Sequence, residues 1–157
     1  MCASGQKISD TDMKPDTDIQ INTDDTDNTD KAGKVKEGLL YAELTYVVNG
    51  ILFTAQNELG NYAREKQYGD VIERLFKEKN IKFQRELIFG DSGNIADFVI
   101  EGVLVLEIKA KRILTKEDYY QTQRYLQESG LRLALLVNFR DKYIKPKRIV
   151  RIDSWNK

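Results

Sequence analysis

The apolar residues change their spacing at Asn80, and that change limits the folds open to the chain. Before it, Leu40, Leu44, Val47, Val48, Ile51, Ala55 and Leu59 recur mostly at helical intervals, marking one face of a long amphipathic helix that ends near Gly60. Tyr68, Val71, Ile72, Leu75 and Phe76 are the stripe of a second helix, spanning about residues 63–79. After Asn80 the apolar period falls to two: Phe83, Arg85, Leu87 and Phe89 alternate with Lys82, Gln84, Glu86 and Ile88, as in a strand. Two helices therefore precede a sheet.

The rest of the chain extends that sheet. Asp91-Ser92-Gly93-Asn94 reads as a turn, and residues 95–100 and 103–109 as strands joined at Glu101-Gly102. Thr115 and Asp118 form a helix-opening signal, and that helix stops at Gly130. Leu131 to Phe139, apolar without a break from Leu133 to Val137, reads as a buried strand. A helix separates it from the preceding strand, so the two are expected to run parallel. A short last strand, 148–152, follows Lys145-Pro146. The predicted class is α/β, a mixed central sheet of four or five strands flanked by helices.

Charge divides the chain unevenly. It has 157 residues, room for one domain, and its 25 basic and 25 acidic side chains balance. Residues 1–32, however, hold eight Asp and three Lys, which leaves 22 basic and 17 acidic groups beyond them. Residues 1–35 have almost no large apolar side chain and read as a disordered acidic tail, with residues 36–157 as the folded domain. The run Thr23 to Asp30 lacks the glycine and terminal glutamate of an EF-hand loop. The folded part is basic and suits an anionic partner.

Histidine is absent, which excludes His-based acid–base and nucleophile systems and the usual histidine metal sites. Cys2 is the single cysteine, so no intrachain disulfide or cysteine zinc site can form. Any chemistry must come from carboxylates, lysine and water. With no apolar stretch of spanning length and no signal pattern, a soluble, cytoplasmic protein without membrane contact is expected.

The register of the hairpin at Gly102 decides whether its acidic residues meet. A two-residue loop would pair Asp97 with Leu106 and send Glu107 to the other face. A three-residue loop, with Gly102 left-handed, pairs Asp97 with Glu107, Phe98 with Leu106 and Ile100 with Leu104, which keeps the apolar side chains on one face. That register is the expected one, and it sets Lys109 on the face of the two carboxylates. Two carboxylates so close repel unless a cation lies between them, which points to a hard divalent metal, Mg2+ first and Mn2+ as its substitute. Such an ion lowers the pKa of bound water and neutralises phosphate charge, and Lys109 is placed to orient the water or stabilise developing charge.

The run from Ala96 to Lys111, ADFVIEGVLVLEIKAK, resembles the second and third motifs of the PD-(D/E)XK nuclease superfamily, with Asp97 as the lone acid and Glu107-Ile108-Lys109 as E-x-K. Leu59 to Tyr68, LGNYAREKQY, is similar to the helix opening of the small GxxExxY proteins, with Glu65 and Tyr68 in place and Tyr62 where that family has a glycine. Gln121 and Tyr125 match the Q-x-x-x-Y of related exonuclease-like members. The resemblance, from about Leu39 to Arg151, implies a restriction-endonuclease-like core. It also implies Asp97 and Glu107 as metal ligands joined by Glu65 and the Ile108 carbonyl, and Gln121 and Tyr125 bracing the site or touching phosphate.

Each of these residues also has a plainer reading: a strand's charges as a solvated ladder, Glu65 and Gln121 as surface groups, Tyr68 and Tyr125 as core aromatics. Lys111 and Arg112, close to the proposed metal, are the candidates for phosphate contact; the basic stretch from Arg140 to Arg151 serves equally as a solvated face. The expected function is metal-dependent hydrolysis of DNA phosphodiester bonds; the alternative is a non-catalytic nucleic-acid-binding or assembly module on the same fold. The expected partner is nucleic acid, DNA before RNA, with a homodimer or a larger nucleic-acid-processing partner left open.

Overall fold

The computed structural model describes residues 41–153. The acidic stretch 1–35, with its expected disorder, and Leu40 lie outside the described residues. The chain divides into two compact units, Met1–Val47 and Val48–Lys157. Helix α1, Ala42–Leu59, crosses that division. In the first unit its opening turn is closed by the Thr45 N–H, which donates to the Tyr41 carbonyl at 2.9 Å.

The second unit holds the rest of α1 and the whole sheet. There α1 buries Val48, Ile51, Leu52 and Ala55 and ends at Gly60, whose φ of 75° is the left-handed value that terminates helices. Helix α2, Glu65–Glu78, buries Tyr68, Ile72, Leu75 and Phe76, close to its predicted stripe. Strands β1 (Phe83–Phe89), β2 (Asn94–Ile100) and β3 (Leu104–Lys109) form an antiparallel meander. Helix α3, Lys116–Ser129, then leads to β4 (Leu133–Asn138) and β5 (Lys147–Val150). The sheet order follows the chain, β1 to β5, and β3–β4 is its parallel pair. The predicted α/β class and mixed sheet with flanking helices are therefore found.

A layer of helix covers each face of the sheet. On one, the Phe76 ring of α2 packs 5.4 Å from both Phe83 and Phe98. On the other, Tyr125 and Leu126 of α3 cover Val105, Ala134 and Leu136. Each fully buried apolar side chain of this kind contributes about 1.5–3 kcal/mol. The unbroken run from Leu133 to Val137 is apolar because β4 is buried on both faces.

Two local features position the site. Phe98 pairs with Leu106 and Ile100 with Leu104, the predicted register. The turn differs in detail, because Glu101 as well as Gly102 is left-handed, with φ of 54° and 71°. A non-glycine residue there is strained by about 1 kcal/mol. Two bonds offset it: the Glu101 N–H donates to the Lys82 carbonyl at 2.8 Å, and the Lys82 N–H donates to Glu101 Oε2 at 3.1 Å.

The second feature lies at Asp97. The β1–β2 ladder skips the position where Glu86 faces Asp97, and Glu86 has a φ of 55°. Phe98 packs on α2, whereas Ala96 belongs to the cluster under α3. Residues two apart on a regular strand share a face, so the strand makes a half-turn at Asp97.

Candidate active site

The half-turn aims the Asp97 side chain along the sheet. Its Oδ2 accepts the Ile108 N–H at 2.6 Å, so a carboxylate replaces a ladder partner and holds β2 against β3 beyond the last paired rung. Because N–H and C=O of one strand residue point to the same edge, the Ile108 carbonyl faces that side too. Glu107, one residue earlier, is 4% exposed. Its Oε2 lies 3.4 Å from Lys109 Nζ, and its Oε1 is buried with no hydrogen-bond donor among the described residues.

Lys109 is held from several directions. Its Nζ donates to Gln121 Oε1 of α3 at 3.1 Å and lies 3.8 Å from Asp118 Oδ1. Asp118 also caps α3, accepting the Thr115 N–H at 2.8 Å, and pairs with Lys111 Nζ at 2.9 Å. Asn138, 2% exposed at the end of β4, takes the Lys111 N–H on Oδ1 at 3.0 Å and donates Nδ2 to the Lys111 carbonyl at 2.7 Å. These bonds fix the chain immediately after the E-x-K.

Electrostatics follows from this packing. Burial, then the charge of Asp97, pushes the Glu107 carboxyl up to about 8, only partly countered by Lys109 and the Asp97 N–H. Burial likewise raises Asp97 to about 6, against the Ile108 N–H, while Glu65 adds repulsion and Lys109 and Arg85 relieve some of it. Each carboxylate disfavours ionisation of the other. A buried carboxylate oxygen without a donor costs about 1–3 kcal/mol or more. A hard cation between the pair would satisfy that oxygen and offset the repulsion, so the donor chemistry fits a divalent ion.

The remaining sequence candidates sit as follows. Glu65, at the start of α2, is exposed, and its Oε2 accepts the Ala110 N–H at 3.2 Å. Among the described residues no group of three or more His, Cys, Asp or Glu is close enough to hold a metal, so Glu65 is not gathered with Asp97 and Glu107 as a third ligand. Gln121 touches Lys109, as given above. Tyr125 is 1% exposed and donates its hydroxyl to the Ile95 carbonyl at 2.7 Å, which commits it to β2. Burial, with the nearby Glu107 and Asp97 charges, keeps that phenol protonated by raising its pKa. Tyr68 is also interior: it stacks on Phe139 at 4.0 Å and donates its hydroxyl to the Gly60 carbonyl. Lys111 is paired with Asp118, and Arg112 is exposed.

Sequence reasoning missed Asn138, hidden at the end of an apolar run, and the second role of Asp118. It also missed Arg140, which donates Nε to the Asn61 carbonyl at 3.1 Å and Nη2 to the Ala110 carbonyl at 3.3 Å. The charged helix-opening pattern was the available signal for Asp118; Asn138 and Arg140 had none beyond their places at the end of β4 and just after it.

A mixed sheet with two carboxylates and a lysine on adjacent central strands defines a class, and comparison with known proteins gives the same one. The family model of the PD-(D/E)XK nuclease superfamily matches residues 42–152, and the chain belongs to that superfamily. Among curated proteins none matches. Of solved structures, an alkaline exonuclease (LHK-Exo) from Laribacter hongkongensis is similar at 16% identity and a TM-score of 0.41, over 52% of this chain and 53% of that one. SSO0001 is similar at 20% identity and a TM-score of 0.42, over 66% of this chain and 65% of that one. The chain thus spans about half the length of the exonuclease. Among the described residues no helix is long and apolar enough to cross a membrane.

Proposed function

We propose that the chain is a metal-dependent nuclease that hydrolyses DNA phosphodiester bonds at Asp97, Glu107 and Lys109. The observation that carries this reading is the buried, donor-less Glu107 Oε1 beside a second carboxylate and a lysine. Membership of a nuclease superfamily supports it.

Asp97 and Glu107 would hold Mg2+ or Mn2+, with the Ile108 carbonyl on the same edge of β3. When bound, the ion supplies positive charge for the phosphate and acidifies a water for attack. The chain's own residues do the rest. Asp97, anchored on the Ile108 N–H, fixes the spacing of the two strands. Lys109, steadied by Gln121 and Asp118, presents an ammonium beside Glu107, where it can orient water and stabilise charge gathering on the phosphoryl oxygens. Glu65 takes the Ala110 N–H and so positions the chain leaving the site. Tyr125 braces β2 from behind, and Lys111 and Arg112 supply positive charge for the strand's phosphates.

The test is cleavage of single- and double-stranded DNA with Mg2+, Mn2+ or chelator, beside Lys109→Ala. The expected result is cleavage that needs the metal and falls by about a hundredfold or more in the variant. Cleavage indifferent to chelator or to the substitution overturns the reading. DNA that is retained but never cut favours the non-catalytic binding module instead.

A further inference from the structure

Outside the carboxylate site the most unusual surface group is Tyr62. It is 80% exposed, in the turn between α1 and α2, and the Arg140 guanidinium lies over its ring, with Cζ 5.3 Å from the centroid. One face of the ring is therefore backed by a cation and the other is open to solvent. The guanidinium cannot swing away freely, because its bonds to the Asn61 and Ala110 carbonyls tie it down.

The same bonds place this platform next to the candidate site. Ala110 follows Lys109, and its N–H is the one held by Glu65. Arg140 is the second residue of the loop after β4, whose Lys109–Asn138 pairing continues in a bond from the Phe139 N–H to the Lys109 carbonyl at 2.8 Å. That loop is pinned from α1, where Gln56 Nε2 donates to the Asp141 carbonyl at 2.8 Å and Gln56 Oε1 accepts the Ile144 N–H at 3.4 Å. It is also basic. Lys142 and Lys145 in the loop and Lys147 at the start of β5 are exposed, and Tyr143, 72% exposed, has Lys142 Nζ 5.4 Å from its ring centroid.

We propose that Tyr62, backed by Arg140, is a stacking platform for an unpaired nucleobase, so that the site takes a single-stranded or frayed nucleic-acid strand whose phosphates run along Lys142 and Lys145 of the loop and Lys147 at the start of β5. This rests on the nuclease reading for what happens to the strand, but not for its binding. The occupant follows from chemistry: a flat π-face meets an immobilised aromatic–cation pair, and phosphates meet lysines. A base inside a duplex is already stacked on both sides and offers no face. Because the platform is held before substrate arrives, little ordering entropy opposes the contact.

The experiment separates base from backbone. Fluorescence anisotropy, in chelator and at fixed low salt, compares a labelled oligothymidylate with an abasic phosphodiester strand of equal length. The wild-type protein is expected to prefer the strand with bases, and Tyr62→Ala to lose roughly tenfold on that strand alone. Tyr62→Trp should keep the preference, and Tyr62→Leu, which retains bulk without a π-face, should lose it. A base-to-abasic ratio unchanged in the Ala and Leu variants overturns the proposal, as does equal loss on both strands, a Trp variant as weak as Ala, or tighter binding of a blunt duplex. No cleavage is involved, so a protein that cuts DNA without this ratio fails the platform alone. One that shows the ratio without metal-dependent cleavage fails the nuclease reading alone.

Discussion

Replacing Glu107 with glutamine isolates the burial of one charge. In the wild type the carboxyl is raised from its ordinary 4.5 to about 8, so the folded state holds the proton more tightly than the unfolded chain does. The stabilisation from that proton is complete below about pH 4.5 and is lost as pH rises through about 8. At about 1.4 kcal/mol per pH unit, the change between about pH 5 and about pH 8.5 is on the order of 4 kcal/mol. In a domain of this size that is a fall in Tm of roughly 15 °C. Glutamine has no proton to release. Thermal melts followed by circular dichroism in chelator should therefore show Glu107→Gln gaining on the wild type steadily from about pH 5 to about pH 8. Mg2+ or Mn2+ should restore the wild type at high pH and leave the variant unmoved. Parallel Tm–pH curves for the two proteins would refute the reasoning, because the buried charge would then carry none of the assigned energy.

Three further outcomes test other parts of the structure. Asn138→Ala strips both partners from the Lys111 backbone and should cost about 2–3 kcal/mol in urea unfolding. Tyr125→Phe removes only the bond to the Ile95 carbonyl; a loss of about 1 kcal/mol is expected, with DNA affinity unchanged, and a large drop in affinity would mean that the hydroxyl meets phosphate after all. Gly102→Ala should lower stability by about 1 kcal/mol, since a φ of 71° is strained for any side chain, and an unchanged denaturation midpoint would contradict the left-handed turn.

Much of this was legible because the apolar pattern admits few solutions. Phe98 and Ile100 must share a face with Leu106 and Leu104, and that requirement fixed the register that brings Asp97 towards Glu107. The parallel placement of β4 followed from the intervening helix in the same way. Strict alternation, however, places Asp97 simply beside Glu107. The half-turn opposite Glu86, which sends its carboxylate to the Ile108 N–H, is set by the neighbouring strand and leaves no local signature. Glu101 adopts φ > 0 because of Lys82, a contact across the sheet that sequence spacing does not reveal. The ion pair of Lys111 with Asp118 was not legible, since nothing in the Lys111 segment announces Asp118 as its partner. Tyr62, in the motif only a departure from glycine, has its meaning from Arg140, far along the chain.

The interruption at Glu86 also bears on how copies of the protein can meet. Among the described residues β1 is an outer strand, and such a strand ordinarily offers a straight row of amides and carbonyls to any passing chain. Here the row is broken midway by a left-handed residue, and Gln84 and Glu86 within it and Lys82 just before it are exposed. The opposite border, β5, is four residues long. Among the described residues neither margin offers a long, straight template for sheet extension, which disfavours edge-to-edge aggregation.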